Sequence, residues 1–440
     1  MDRDRARGAL LGLAVGDALG RPVVFESPAR IVAQYGTVTE MLGDGSWNRP
    51  AGTITDETET TVRVARSLVE QGQFEPCDVA TRLVSWFAED PFDVDSTTAA
   101  AVGRLRDGEP WHLAGRLVYR HGTHPAGDPG TPRPDAVGSD SGRPTGGVRD
   151  RGVGPGQHPP RGDDATTVGD GDPAAREDRR RSPARRRDGD AGRNSGRTGP
   201  GNSDRDAPRR SDRDPTEGFD DEPVATPDGT AMRGGSGDRS EVVIGCGAAA
   251  SGGMPRAVPL ALAYGEGSYR LAAVARTASR ITHAAPSSTA AAALLAVVVA
   301  GYLQGATAPL AQARRLVDLP RPLLEATAPL VSPDDAGPVF PPSTPARRES
   351  VVATVRVALG CATLAESAED AVVRAVNAGG NADTVGAICG AVAGARFGAS
   401  SLPDRWLAAV DRTDELRRLA DALREGTFDR DRGLGTVAAD

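Results

Sequence analysis

The chain lacks lysine altogether, so each of its 52 basic residues is an arginine. Aromatic residues are also scarce, at 4% of the 440 residues, and hydrophobic residues make up 38%. A core must therefore be built mainly from Ala, Val and Leu. With 60 Asp and Glu residues, the formal net charge is -8. This mild acidity argues against a domain that binds nucleic acid.

Cysteine is sparse as well, and its spacing excludes two kinds of site. The four cysteines are far apart in the sequence: Cys77, Cys246, Cys361 and Cys389. They form neither a C-x-x-C metal pair nor the framework of a disulfide-rich domain. This pattern is typical of a protein in the reducing cytoplasm, where we expect this chain to act.

Long hydrophobic runs are missing too. The longest begins at Thr289 and has about 15 residues, whereas a membrane helix needs roughly 20. The apolar run near the N-terminus is broken by Gly16 and Asp17, unlike that of a signal peptide. We therefore expect a buried helix after Thr289 and no membrane partner.

Composition divides the chain into three zones. Residues 1–116 and 246–440 alternate apolar helical stretches with short polar loops, and we predict that both belong to one domain. Residues 117–245 are dominated by Gly, Pro, Arg, Asp and Ser without apolar periodicity. Such a segment cannot bury enough surface to offset the entropy lost on ordering. We predict a disordered insertion, although a stretch translated out of frame would have the same composition.

The arginines of this middle zone raise the alternative of a segment that tethers RNA or DNA. Against it, aspartate is interleaved throughout the stretch "REDRRRSPARRRDGDAGRNSGR". The same stretch contains no aromatic side chain on which a base could stack. The composition therefore argues against a nucleic-acid partner.

Outside the middle zone, the spacing of apolar residues predicts many helices and few strands. Helical spacing occurs in "ARGALLGLAVGDALG", "DETETTVRVARSLVEQG", "DVATRLVSWFAED", "LAAVARTASRI", "SSTAAAALLAVVVAGYLQG", "LAQARRLVDL", "SVVATVRVALGCATLAES", "AEDAVVRAVNAGG", "TVGAICGAVAGARFG" and "DELRRLADALREG". We therefore predict an all-α fold, a compact bundle of many helices. The abundance of Ala and Gly would let these helices approach closely.

One oxygen-rich cluster lies where the second of these helices should begin. It consists of Thr55, Asp56 and Glu57 in "GTITDETETT". Carboxylate and hydroxyl oxygens at a helix N-terminus can converge on one point, and such hard ligands suit Mg²⁺, Mn²⁺ or Ca²⁺. Taken alone, the cluster is better explained by an N-cap followed by an acidic first turn.

A second cluster, Asn381, Asp383 and Thr384, follows Gly379 and Gly380 near the start of another helix. Alone, it is explained by a Gly-Gly turn with Asp383 as the N-cap. Together the two clusters indicate a metal site. If they face each other across one bundle, they offer about six oxygen ligands, which suits a pair of cations.

Four motifs occur in order along the chain: "LLGLAVGDALGRPV", "GTITDETETT", "ITHAAPSS" and "GGNADTVGAICGAVAGARFG", the last followed by "LPDRW". Together they resemble the ADP-ribosylglycohydrolase family. The resemblance implies an all-α fold and a site for two Mg²⁺ or Mn²⁺ ions. It also implies hydrolysis of the glycosidic bond between ADP-ribose and a protein side chain or small acceptor. An ADP-ribosylated protein or a small ADP-ribose conjugate is then the expected partner.

The resemblance also implies six metal ligands, which are Thr55, Asp56, Glu57, Asn381, Asp383 and Thr384. Glu57 and Asn381 both stand where the family usually has aspartate. An amide oxygen can coordinate a cation but brings no negative charge. We therefore expect Asn381 to weaken cation binding or to favour one of the two sites.

Two residues are candidates for catalysis by this resemblance. An acidic residue often follows GDALG by four positions in the family; here Val24 occupies that place and Glu26 follows two residues later. Asp93 in "DPFDVDSTT" matches the first residue of a D-I-G-x-T-T element near the ribose, with Asp95 in place of glycine. Glu26 or Asp93 could act as a general base.

Four further residues are candidates for substrate binding. Gly379 and Gly380 precede a helix and could offer backbone N–H groups to the diphosphate. Arg256, in "GGMPRAVPLALAY", resembles the arginine of an element that shapes the substrate cleft, although the Asn of that element is absent. His283 matches a Thr-His pair of the family, but a structural role is the better explanation of a lone histidine before a helix.

The departures from the family pattern support an alternative function. A catalytically impaired relative would bind ADP-ribose or metal without turnover. Asn381, Val24 and the altered middle zone favour this interpretation. Such a relative should bind metal weakly or bind one ion only, so a metal titration separates the two functions.

Overall fold

The computed structural model describes residues 1–122, 249–265, 268–331 and 350–428, and these all belong to one compact unit. The segment predicted to be a disordered or out-of-frame insertion, 117–245, lies outside the described residues from 123 onward. Residues 117–121 complete a helix, so helical structure continues past the predicted boundary at 116. The rest of that prediction stays a prediction.

The described residues contain sixteen α-helices, and this confirms the predicted all-α fold. Among the described residues, the only isolated β-bridge joins Asp44 and Arg49. The helices are α1 (Arg3–Gly20), α2 (Pro28–Tyr35), α3 (Asp56–Gln71), α4 (Pro76–Phe87), α5 (Ser96–Arg106), α6 (Trp111–His121), α7 (Val258–Tyr264), α8 (Ser268–Arg280), α9 (Pro286–Leu303), α10 (Pro309–Leu316), α11 (Arg321–Thr327), α12 (Val351–Leu364), α13 (Ala368–Val376), α14 (Ala382–Phe397), α15 (Asp404–Ala409) and α16 (Thr413–Glu425).

Helix α9 forms part of the core and is apolar on every side. Pro286 is the first residue of the helix. Proline suits this position because the N–H group that it lacks would have no partner within the helix. Helices α7, α8, α10, α12 and α14 pack around it. It is the one single helix among the described residues that is long and apolar enough to cross a membrane, and 83% of it is buried inside the protein. Core helices pass the same test, and the burial agrees with the helix predicted after Thr289.

Helices α1 and α14 run antiparallel with their backbones in direct contact. Small residues at four-residue intervals, which share one helix face, meet in the pairs Gly8–Gly394, Gly12–Gly390, Gly16–Gly386 and Gly20–Ala382. A Cβ atom built on Gly12 would lie 2.1 Å from the carbonyl oxygen of Gly390, closer than any side chain allows. This contact sets the end of α1 beside the start of α14, where the second oxygen-rich cluster lies.

Candidate functional site

Asp17, near the end of α1, fixes the start of α3. Its carboxylate is fully buried and accepts hydrogen bonds from the backbone N–H groups of Thr55 at 3.0 Å and Thr58 at 3.1 Å. It also accepts from the hydroxyl groups of Thr55 at 2.7 Å and Thr58 at 2.5 Å. The first N–H groups of a helix have no partner within the helix. Asp17 therefore caps α3 from another helix and holds Asp56 and Glu57 in place.

The two oxygen-rich clusters meet through one hydrogen bond. The hydroxyl group of Thr384 donates to Oε1 of Glu57, which is 327 residues away in the sequence. Asn381 donates from Nδ2 to Oγ1 of Thr384 at 2.7 Å. Glu57 and Asp383 are both buried, with exposed fractions of 4% and 5%. The starts of α3 and α14 thus form one site, in which carboxylate, hydroxyl and amide groups lie together.

The loop between α4 and α5 brings two more carboxylates to this site. The backbone N–H of Asp95 donates to Oδ2 of Asp56 at 3.3 Å. Asp93, two residues earlier, has a buried Oδ2 without a hydrogen-bond partner, and so has Glu57 at Oε2. Buried oxygens without partners are rare in folded proteins, because they lose the hydrogen bonds that water would give them. These atoms are therefore candidates to contact a ligand.

Burial and mutual repulsion raise the pKa of the carboxyl groups in this site. Burial and the charges of Glu57 and Asp93 raise the pKa of Asp56 well above its usual value. Burial and the charge of Asp383 do the same for the pKa of Glu57. Burial also raises the pKa of Asp17 to about 6 and that of Asp383 to about 7. The site thus concentrates more negative charge than the protein alone stabilises.

Arg256 and His283, two candidates for substrate binding, are both buried near the carboxylates. Arg256 donates through one amino group to the hydroxyl group of Thr282, and its Nε and other amino nitrogen have no partner. Nε2 of His283 lies 3.4 Å from Oδ1 of Asp95. Only 1–2% of either residue is exposed. Both side chains are therefore shielded from solvent.

Gly379 and Gly380 have positive φ angles of 69° and 70°, which glycine adopts without strain. Their N–H groups already have partners: that of Gly379 donates to the carbonyl of Val376 at 3.1 Å, and that of Gly380 donates to the carbonyl of Glu26 at 2.8 Å. In this arrangement they offer no free donor to a diphosphate. Their visible role is to shape the turn that leads into α14.

Glu26, a candidate for catalysis, reaches the second cluster through its backbone rather than its side chain. Its carbonyl oxygen accepts the N–H of Gly380, while its carboxylate pairs with Nε of Arg30 at 2.9 Å on the solvent side. Val24, at the position where the family often has an acidic residue, is buried. Of the two candidate bases, only Asp93 has its carboxylate in the buried site.

Comparison with known proteins decides the family. The ADP-ribosylglycohydrolase family model matches residues 1–139 and 168–433, which is most of the chain. The chain belongs to the ADP-ribosylglycohydrolase family. A solved structure described as an ADP-ribosylglycohydrolase-related protein complex matches with a TM-score of 0.57 and 23% sequence identity. That match covers 97% of this chain and 99% of the other, and at this identity it shows the fold.

Two curated proteins of related sequence carry more specific names. The ADP-ribosyl-[dinitrogen reductase] glycohydrolase of Rhodospirillum rubrum is 41% identical over 101 residues, which are 23% of this chain and 34% of that protein. The ADP-ribosylarginine hydrolase Tri1 of Pseudomonas putida is 36% identical over 116 residues, or 24% of this chain and 30% of that protein. The chain thus spans about a third of the length of the curated relatives it matches.

The donor atoms of this site fit a hard divalent cation. They are carboxylate, hydroxyl and amide oxygens, and two of the buried carboxylate oxygens have no partner. Within the described residues, no group of three or more His, Cys, Asp or Glu side chains is already arranged to hold a metal ion. Cation binding would therefore require the carboxylates to draw together, with hydroxyl, amide and water oxygens completing the shell. Mg²⁺ commonly keeps several waters in proteins.

Two residues that organise the site, Asp17 and Arg21, were not predicted from the sequence. Asp17 interrupts an apolar run. An aspartate inside a helix of small apolar residues was the available signal, because such a group needs buried partners. Arg21 is also buried, and it donates to the carbonyl groups of Asp44 at 2.9 Å and Pro50 at 3.0 Å. Burial lowers its pKa, and the charges of Asp17 and Asp93 oppose that shift.

The metal-free protein should become less stable as pH rises from about 4, near the ordinary pKa of aspartate, to about 7. A carboxyl group whose pKa is raised by folding stabilises the fold below its ordinary pKa, and this contribution is lost as pH passes the folded value. Asp17, at about 6, and Asp383, at about 7, set this window. Thermal unfolding with a chelator should give a lower midpoint at about pH 8 than at about pH 5. A midpoint that rises over this range would show that the site is not strained by its charge.

Proposed function

We propose that this protein is a metal-dependent hydrolase that cleaves the glycosidic bond between ADP-ribose and a protein side chain or small acceptor. The observation that carries the proposal is the hydrogen bond from Thr384 to Glu57, because it unites two distant acidic segments in one buried site. Family membership gives the class of linkage. The spacing of the cysteines favours a reaction in the cytoplasm.

The excess of carboxylates in the site suits divalent cations, and we propose two ions of Mg²⁺ or Mn²⁺. Six carboxylates lie in or beside the site, and two buried guanidinium groups, those of Arg21 and Arg256, oppose them. Bound divalent cations would stabilise the ionised form of carboxyl groups whose pKa values burial now raises. The six carboxylates are those of Asp17, Asp56, Glu57, Asp93, Asp95 and Asp383.

The proposed ligands come from both sides of the site. Thr55, Asp56 and Glu57 would hold the cations from α3, and Asn381, Asp383 and Thr384 would hold them from α14. When bound, such ions supply Lewis-acid polarisation of oxygen and orient the substrate. Asp17 keeps the α3 ligands in place by capping that helix.

Asp93 is the residue we assign as the general base. Its Oδ2 is buried without a hydrogen-bond partner, and burial and the charge of Asp383 raise its pKa well above the usual value. A carboxylate with a raised pKa is a better proton acceptor near neutral pH. In the proposed reaction Asp93 takes a proton from water, whose oxygen bonds to C1″ of the ribose. The bond from C1″ to the acceptor breaks, and the acceptor leaves with the electron pair and gains a proton.

Arginine is the acceptor to test first. One relative is named an ADP-ribosylarginine hydrolase and another acts, by its name, on ADP-ribosylated dinitrogen reductase. A protein ADP-ribosylated on arginine, labelled in the ADP-ribose, should release labelled ADP-ribose when this protein and Mn²⁺ are added. Chelation should stop the release, and Asp93→Asn should reduce it by about a hundredfold or more, the usual contribution of a general base. Release that is insensitive to chelator would contradict the proposed metal dependence.

The alternative, binding of ADP-ribose without turnover, is favoured by the buried Val24 and by the pairing of Glu26 with Arg30. Only Asp93 then remains as a base among the candidates. The same assay distinguishes the two functions if ADP-ribose binding is measured in parallel. Tight binding of ADP-ribose without release from arginine, serine or ester acceptors would support the impaired relative.

Asn381→Asp should tighten divalent cation binding and weaken the metal-free fold. The change adds a carboxylate to a site that already repels negative charge, and it removes the N–H donor to Thr384. One charge at about 4 Å is worth roughly 4 kcal/mol at an effective dielectric constant near 20, before desolvation is subtracted. We expect affinity for Mn²⁺ to rise on the order of tenfold in calorimetry. Unchanged affinity would mean that Asn381 serves only the turn.

A further inference from the structure

Asp95 occupies a position that its role as a helix cap does not explain fully. Its Oδ1 accepts the N–H of Thr98 at 2.9 Å, as expected for the N-cap of α5. Its backbone N–H donates to Oδ2 of Asp56 at 3.3 Å. Its Oδ2 is buried without a partner. Asp95 therefore links the α5 start to the carboxylates of the site.

The surroundings of Asp95 hold its carboxylate in the charged form. Although burial acts to raise its pKa, the neighbouring His283 and the hydrogen bonds from Thr98 keep that pKa below the usual value. Arg256, with two unpartnered nitrogen atoms and 1% exposure, adds a fixed positive charge on the same side. Gly252 leaves room for the carboxylate, since a Cβ atom there would lie 2.6 Å from Oδ2 of Asp95.

The charge of Asp95 also matters for the balance of the site. The α14 side contributes one carboxylate, Asp383, because Asn381 is a neutral amide that donates to Thr384. Asp95 adds a second acidic group close to the proposed ligands, since its charge contributes, after burial, to the raised pKa values of Asp56 and Glu57.

We propose that Asp95 is a positioning residue of the cation site, which supplies the negative charge that the amide of Asn381 does not. The inference rests on the proposed function, because it presumes that the site binds divalent cations. His283 and Arg256 then serve to keep Asp95 ionised and in place rather than to contact substrate. The competing role, an ion-pair partner of His283 with no influence on cations, makes a different prediction.

Calorimetric titration of metal-free protein with Mn²⁺ tests the proposal. Asp95→Asn removes the charge, and asparagine is as good an N-cap as aspartate, so α5 should remain intact. We expect the affinity for Mn²⁺ to fall by about tenfold or more, because a charge is lost close to the ions at low effective dielectric. Asp95→Ser, which also caps a helix, should show the same loss. Asp107→Asn, at the exposed other end of α5, is the matched control and should leave affinity unchanged.

Rescue gives the sharper result. Combined with Asp95→Asn, Asn381→Asp should return the affinity for Mn²⁺ to near the wild-type value, because the net charge of the site is restored. If wild type binds Mn²⁺ and Asp95→Asn binds it equally well, Asp95 serves only His283 and the inference is wrong. If wild type binds no Mn²⁺ at all, the proposed function itself fails, and the two failures are therefore distinct.

Discussion

Gly390→Ala is expected to destabilise the metal-free protein by roughly 3 kcal/mol, at the upper end of the cost of overpacking a core. A Cβ atom on residue 390 would lie 1.9 Å from the carbonyl oxygen of Gly12, so α1 and α14 would have to separate. A backbone carbonyl inside a helix cannot rotate away as a side chain can. Because α1 carries Asp17 and α14 carries Asp383, the same separation should weaken Mn²⁺ binding.

Urea denaturation measures this effect, and Gly103→Ala in α5 is the control. Nothing lies within 4 Å of a Cβ atom built on Gly103. In a helix, alanine is favoured over glycine by about 0.5–1 kcal/mol, so this control should be neutral or slightly stabilising. A stability for Gly390→Ala equal to that of Gly103→Ala would show that the close contact of α1 and α14 is not essential.

Asp383→Ala is expected to abolish Mn²⁺ binding and hydrolysis while leaving the metal-free fold intact. Asp383 is buried in the first turn of α14, and burial together with the charge of Asp383 raises the pKa values of Glu57 and Asp93. Removing it relieves that repulsion. The lost interaction with the α14 dipole costs only about 0.3–1 kcal/mol. Thermal unfolding with a chelator should therefore give a midpoint no lower than that of wild type, and calorimetry should detect no binding.

Asp404→Ala is the matched control for Asp383→Ala. Asp404 also lies in the first turn of a helix, α15, but it is exposed. Its removal should change neither Mn²⁺ affinity nor hydrolysis. If Asp383→Ala retains wild-type affinity for Mn²⁺, the cations must bind elsewhere. If it lowers the midpoint of the metal-free protein strongly, Asp383 stabilises the fold rather than straining it.

The sequence predicted the longer helices well, because each buries a broad apolar face with helical spacing. All ten predicted stretches contain or overlap observed helices, among them α1, α3, α9 and α14. It did not predict the shorter ones, such as α2, α7, α11 and α15. Each of these has proline at or next to its first residue. Proline suits both a helix start and a turn, so a short stretch near a proline can be either a short helix or a loop.

The candidate site was predictable as two clusters but not as one arrangement. The residue types and their places before helices pointed to Asp56 and Asp383. The bond from Thr384 to Glu57 depends on how α1 sets α3 against α14, and no local pattern contains that information. The hydrogen bond between Gly380 and Glu26 also joins distant segments, so the sequence did not predict it. Their backbone groups bond to each other, and so the turn is closed before any substrate arrives.

Titration of the metal-free wild-type protein with Mn²⁺ in a calorimeter tests most directly the claim that the starts of α3 and α14 form one binuclear cation site. The proposed function predicts two Mn²⁺ ions per chain, with both lost in Asp383→Ala. Binding of no ion or of a single ion to the wild-type chain, or of two ions that persist in Asp383→Ala, would contradict the claim.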